Sequence, residues 1–105
     1  EADHHYHQAH KIFYQLGDVY YCAVIDNNLG GIALNQGRLE EALNFYREGL
    51  QSLEKIGASA YVLGVFHMNI GATLIRKGDI EAARQQLKTS RKYYEQVQSR
   101  DFLPE

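Results

Sequence analysis

Histidines concentrate at the start of the chain, where their spacing could support metal binding. His4, His7 and His10 follow one another at steps of three residues, and His5 lies beside them. On a helix, two of these imidazoles at a time could share a face and bind Zn²⁺ or Ni²⁺. Asp3 is an acid close enough to support them, but no cysteine is near. We favour a solvated first helix, and we predict neither a metal site nor a cofactor.

Side-chain combinations typical of catalysis are missing from the sequence. Cys22 stands in an apolar segment beside Tyr20 and Tyr21, which indicates a core position. Glu40 and Glu41 fall in the first turn of a predicted helix, where negative charge suits the helix dipole. No Ser/His/Asp or Cys/His order and no glycine-rich phosphate loop is found. The sequence therefore predicts a protein that is not an enzyme.

Basic residues gather toward the C-terminal end. Residues 76–100 contain seven bases and three acids, net +4, whereas residues 1–57 contain four bases and eight acids, net −4. The bases on the last predicted helix are Arg84, Lys88, Arg91, Lys92 and Arg100. Tyr93 and Tyr94 lie among them, a combination that could contact nucleic acid. Because the whole chain has a net charge of −2 and Tyr94 fits an apolar stripe, we favour a polar cap of the fold over nucleic-acid binding.

Length and composition limit the architecture. A chain of 105 residues with one proline and no linker-like segment is sized for a single domain. The uncharged run 58–75 contains Ser59, His67, Asn69 and two glycines, so we expect a buried helix and no membrane span. The polar first eleven residues do not predict a signal peptide, and the single cysteine excludes an internal disulfide. These features favour a cytoplasmic protein.

The sequence repeats itself with a constant offset of 41 residues. Asn28-Leu29-Gly30 recurs as Asn69-Ile70-Gly71, and Gly37-Arg38-Leu39 recurs as Gly78-Asp79-Ile80. Ala42 recurs as Ala83, and Tyr46 is matched by Leu87. A partial copy lies upstream, offset by 40 residues. We therefore predict a single domain made of a half repeat (1–17), two repeats (18–57 and 58–99) and a tail (100–105).

Each repeat has the pattern of two helices. Apolar residues at steps of three and four predict amphipathic helices, whereas two intervening segments are apolar nearly all round and must be covered on several sides. The predicted helices are 2–16, 18–36, 39–56, 59–77 and 79–97. Glycines at the breaks can adopt the left-handed conformation that ends a helix. Short turns make neighbouring helices antiparallel, so the fold class is all-α, an α-solenoid of five helices.

These repeats resemble the tetratricopeptide repeat, whose pattern is W-x2-L-G-x2-Y followed by A-x3-F and P. The first repeat places Leu29-Gly30, Ala42 and Tyr46 at the matching positions, and the second places Ile70-Gly71, Ala83 and Leu87 there. Both lack the Trp and the Pro, and Asp26 and His67 occupy the Trp position. The 41-residue period exceeds the family's usual length of about 34. It is similar to the long repeats of kinesin light chains and of maltose-regulator-type bacterial activators.

The resemblance implies a protein-interaction module that binds a partner protein or peptide on the concave side of the stack. The first helix of each pair would line that side. The residues expected to contact a partner are Asn27, Asn28, Gly31, Asn35, Met68, Asn69, Ala72 and Arg76. Asn28 and Asn69 recur at the same place, and we expect both amides to face solvent and to bond an extended peptide. The lysine-rich clamp of carboxylate-binding family members is missing.

The sequence leaves several functions open. The favoured one is a non-catalytic scaffold module of a larger regulatory or signalling protein. The alternative is a peptide-sensing domain of a bacterial transcription regulator, and a metal protein using the His cluster is less favoured. The surface around Ile12, Tyr14 and Tyr20 lacks a polar cap, which predicts a homodimer through the N-terminal helix end.

Overall fold

The protein is a stack of five α-helices. The computed structural model describes residues 2–15 and 17–102, and the side chains within 4–15 and 17–99. The helices are α1 (Ala2–Gln15), α2 (Val19–Asn35), α3 (Leu39–Lys55), α4 (Ala60–Lys77) and α5 (Ile80–Phe102). The described residues contain no strand, which confirms the all-α prediction. α5 continues beyond the predicted end at residue 97.

Each helix packs mainly on its neighbours in the chain. The principal contacts join α1 to α2, α2 to α3, α3 to α4 and α4 to α5. The molecule measures 46 × 36 × 20 Å along its principal axes. Sequential packing of this kind is the mark of a solenoid, in which a repeat is stabilised by the repeats beside it. Within the described part of the chain, no helix is long and apolar enough to cross a membrane.

Glycines end the helices as the sequence predicts. Gly37 and Gly78 follow α2 and α4 with φ of +76° and +94°, a region that other residues rarely occupy. The reversal lets the next N–H turn back to the helix: Arg38 N donates to Ala33 O at 2.8 Å, and Asp79 N donates to Leu74 O at 2.9 Å. These bonds satisfy carbonyls that would otherwise lack a partner at the helix end. The chain can then reverse within about two residues.

Small residues set the distance between the helices of each pair. A Cβ atom on Gly30 would lie 2.6 Å from Tyr46 Cε1, and one on Gly71 would lie 2.8 Å from Leu87 Cδ2. Ala42 and Ala83 are buried in the same two interfaces. The repeated Leu-Gly and Ala positions therefore permit a close helix crossing, and the larger residue of each pair fills the space beside it.

The two glycines should respond differently to alanine. In both cases the added methyl group gains roughly 0.5–1 kcal/mol of helix stability. At Gly30 the obstacle is the Tyr46 ring, which is 3% exposed and cannot move aside, so overpacking should cost about 1–3 kcal/mol and exceed the gain. At Gly71 the obstacles are Cδ2 and Cγ of Leu87, a side chain that is 37% exposed and can move by changing its χ1 rotamer.

We expect Gly30→Ala to lower the free energy of unfolding by about 1–2 kcal/mol and Gly71→Ala to leave it nearly unchanged. Urea unfolding followed by circular dichroism measures both values under identical conditions. Equal losses in the two variants would contradict the role assigned to the buried Tyr46 ring.

Candidate binding groove

A shallow groove lies across the first helices of the two complete pairs. Its volume is about 380 Å³. The lining residues are Tyr6, Asn27, Asn28, Gly31, Ile32, Asn35, Tyr46 and Asn69. Five of them belong to the set expected from the sequence to contact a partner: Asn27, Asn28, Gly31, Asn35 and Asn69. The structure thus brings most of that set together around one opening.

The other three expected residues lie further along α4. Met68, Ala72 and Arg76 are exposed but do not line this groove. Each stands 41 residues after a lining residue, namely Asn27, Gly31 and Asn35. They therefore occupy the same face one repeat later. Arg76 is partly engaged, because its Nη1 donates to the Leu34 carbonyl of α2 at 2.9 Å.

The expectation that Asn28 and Asn69 are equivalent, solvent-facing amides is wrong. Asn69 is half-buried, and its Nδ2 donates to Asn27 Oδ1 at 2.7 Å, which braces α4 against α2. No hydrogen bond of the Asn28 side chain is found among the described residues. The two amides differ because Asn69 faces Asn27 of the preceding helix pair, whereas only α1 precedes α2. Asn69 is therefore part structural.

The Asn27–Asn69 bond leaves hydrogen-bonding capacity in the groove. A primary amide offers two N–H donors and an acceptor oxygen. The pair therefore retains the Asn27 amino group and the Asn69 carbonyl oxygen. A donor and an acceptor side by side match the C=O and N–H of an extended backbone.

Aromatic residues complete the groove, and the sequence analysis did not include them among the residues expected to contact a partner. Tyr46 is 3% exposed, yet it lines the groove, and its Oη would lie 3.8 Å from a Cβ on Gly31. Burial raises the pKa of Tyr46, so its hydroxyl stays protonated and can donate. Tyr6 comes from α1, and its 40-residue offset from Tyr46 was the signal that could have indicated a shared site. None of the eight lining residues carries a formal charge at neutral pH.

Two of the four histidines of α1, His7 and His10, contact neighbouring helices. His10 Nε2 lies 3.3 Å from Asp26 Oδ1, and the ring of His7 lies 6.0 Å from that of Phe45 on α3. Within residues 4–15 and 17–99, no three His, Cys, Asp or Glu side chains come together as metal ligands. Cys22 is buried as the sequence predicts, and its Sγ donates to the His10 carbonyl at 3.7 Å. The α1–α2 interface therefore uses His10 for packing and charge pairing.

Asp26 is the most perturbed carboxyl group of this interface. It is 5% exposed, and burial raises its pKa from 3.8 to about 6. The charge of His10 and a hydrogen bond from it oppose that shift, whereas Glu48 on α3 adds to it. The folded state therefore holds the Asp26 proton more tightly than the unfolded chain does, and its contribution to stability is lost as the pH rises from about 4 through about 6.

Asp26→Asn should remove this loss, because an amide cannot ionise. The quantity to follow is the free energy of unfolding of the variant minus that of the wild type. We expect this difference to be about 1–3 kcal/mol larger at pH 7 than at pH 4. Urea unfolding at a series of pH values measures the difference. Glu54→Gln, at an exposed position on α3, is the control and should show no such trend. A difference for Asp26→Asn that is the same at both pH values would contradict the burial of an ionisable carboxyl group.

Comparison with known proteins gives one positive result. A sequence model described as tetratricopeptide repeat matches residues 21–96, which is more than half of the chain and spans the two complete helix pairs. No curated protein and no solved structure matches. The long-repeat subtype suggested by the 41-residue period stays a prediction. With the five-helix stack and its repeated Leu-Gly and Ala contacts, the match shows that the chain belongs to the tetratricopeptide repeat family.

Proposed function

We propose that this chain is a non-catalytic interaction module of a larger regulatory or signalling protein. Tetratricopeptide repeats generally mediate protein–protein interactions, and the family is not enzymatic. In our proposal the partner is an extended protein segment that lies in the groove of Asn27, Asn28, Gly31, Asn35 and Asn69. It continues along α4 over Met68, Ala72 and Arg76.

One observation carries this proposal: amides and a hydroxyl line an uncharged groove. An extended peptide exposes unpaired N–H and C=O groups, which Asn28, the Asn27–Asn69 pair and Tyr46 can satisfy. Gly31 has no side chain, so a backbone can approach α2 closely there. A ligand segment with small or apolar uncharged side chains fits best, because the lining residues offer no counter-charge.

The proposed regulatory or signalling role is supported by the long repeat period alone. The alternative, a peptide-sensing domain of a transcription regulator, would use the same groove. Binding would then have to favour one curvature of the stack over another.

Asn28→Ala should weaken binding without loss of stability, because that side chain has no hydrogen bond among the described residues. The ligand would be an uncharged peptide selected from a random displayed library on the wild-type protein. We expect about a three- to tenfold loss of affinity by calorimetry, the equivalent of one hydrogen bond. Asn44→Ala, at an exposed position on α3 outside the groove, is the matched control and should bind normally.

Asn69→Ala separates structure from binding in the same assay. It removes the bond to Asn27, so the free energy of unfolding should fall by about 0.5–1.5 kcal/mol while affinity also falls. Wild-type affinity in both Asn28→Ala and Asn69→Ala would place the peptide elsewhere and overturn the groove proposal.

We also propose that the N-terminal helix end forms a homodimer. Ile12, Tyr14 and Tyr20 are 55%, 73% and 42% exposed, so large apolar side chains are open to solvent on α1 and at the start of α2. Exposed apolar surface tends to be buried across a two-fold axis. Sedimentation equilibrium at tens of micromolar should show a dimer that Tyr14→Lys dissociates. A wild-type protein that is monomeric at that concentration contradicts this proposal.

A further inference from the structure

A second groove opens between the end of α4 and the outer face of α5. Its volume is about 430 Å³. Its apolar floor contains Ile75, Ile80 and Leu87, which are 48%, 52% and 37% exposed. Its rim contains three cationic side chains: Arg84, Lys88 and Arg91. The groove does not include any residue of the first groove.

The equivalent surface one repeat earlier is occupied by a helix. The positions 41 residues before Arg84, Leu87 and Arg91 hold Leu43, Tyr46 and Leu50. Those three are 1%, 3% and 9% exposed, because α3 packs on both α2 and α4. Phe66, Ile70 and Leu74 of α4 belong to the same hydrophobic core as these residues. A groove of this shape, formed by two helices of a pair, therefore receives a third helix.

The charge of the second groove differs from that of the equivalent surface one repeat earlier. Two leucines of that earlier surface, Leu43 and Leu50, are replaced by Arg84 and Arg91. Glu81 neutralises part of this charge, with its Oε1 3.8 Å from Arg84 Nε, and leaves two net positive charges on the rim. A helix as apolar as α4 would bury these guanidinium groups without partners, which is unfavourable. A helix with carboxylates beside its apolar stripe would pair with them.

Within this chain, α4 already forms an ion pair with the helix on which it packs. Lys77 at the end of α4 forms this ion pair with Glu40 of α3. The negative charge of α3 is thus complementary to the positive charge at the end of α4. By the same complementarity, the basic rim of the second groove requires a helix with acidic side chains.

We propose that the α4–α5 groove binds an amphipathic helix of another protein, with Asp or Glu on both sides of its apolar stripe. This inference is independent of the first groove. The apolar floor favours a helix over nucleic acid, because charged phosphate groups are not stabilised by contact with Ile75 and Ile80. Docking of α1 from a second copy of this chain is disfavoured, because residues 4–15, which include the exposed Ile12 and Tyr14, contain no Asp or Glu.

Two synthetic helical peptides of eighteen residues test the proposal. Both carry leucine at helical spacing on one face, and they differ only in having Glu or Lys at the flanking positions. Calorimetry at low salt should give about tenfold tighter binding for the Glu peptide, and added salt should reduce the difference. Equal affinity for the two peptides, or no binding of either, overturns the proposal.

Variants of exposed residues locate the binding site. Arg84→Glu with Arg91→Glu should reverse the preference in favour of the Lys peptide. Lys55→Glu with Lys92→Glu changes the net charge equally at exposed positions outside this groove and should keep the original preference. Ile75→Ser with Ile80→Ser should weaken both peptides about tenfold while circular dichroism shows an unchanged helix content.

Two further outcomes would assign the groove to another occupant. Tighter binding of a duplex oligonucleotide than of the Glu peptide, lost in the Arg84→Glu, Arg91→Glu variant, would identify a nucleic-acid site instead. Self-association of the protein that the same variant abolishes, and that Tyr14→Lys leaves intact, would identify a second copy. Either result overturns the proposed acidic helix without affecting the first groove.

Discussion

The contact between Gly30 and the ring of Tyr46 sets the distance between α2 and α3, and the rest of the stack depends on that distance. Gly30 has no side chain, so the Tyr46 ring lies directly against the α2 backbone. The ring is buried, but its hydroxyl end lines the groove beside Gly31. Tyr46 thus contributes both to the packing of α2 against α3 and to the surface of the groove. In the second repeat Leu87 takes this position against Gly71, with an apolar end and partial exposure.

Charge is distributed unevenly between the two grooves. The first groove is lined by amides, aromatic rings and one aliphatic side chain, whereas the last helix pair presents a basic rim. A solenoid needs apolar faces only where one repeat meets the next. In the second repeat Arg84 and Arg91 stand where the first repeat has the buried Leu43 and Leu50, so the outer face of α5 is more polar than the equivalent packing surface of α3.

The position that holds tryptophan in the family pattern holds polar residues here, and each has found a partner. Asp26 pairs with His10 of α1, and His67 Nδ1 lies 2.8 Å from Gln86 Oε1 of α5. A buried polar group is tolerated only when it is hydrogen-bonded or paired. The lost aromatic bulk has thus been exchanged for polar links that join α1 to α2 and α4 to α5. The Asp26–His10 link places a carboxyl group of raised pKa at the α1–α2 interface.

The amino-acid sequence by itself determined the five helices, their order and the small residues at their crossings. That information is local or strictly periodic: a stripe at helical spacing, a glycine after each of the first four helices, and an offset of 41 residues are all visible along the chain. The family follows from the same pattern, and most of the groove follows from the family. Only the tertiary structure decided which amide bonds which. Asn69 meets Asn27, 42 residues away, while its sequence equivalent Asn28 has no such bond. The angle and offset between successive repeats decide these pairings, and they result from the packing of many side chains together. For the same reason the sequence pattern identified Tyr46 as a core residue but not as part of the groove, and it placed the histidines on α1 without showing that His10 faces Asp26.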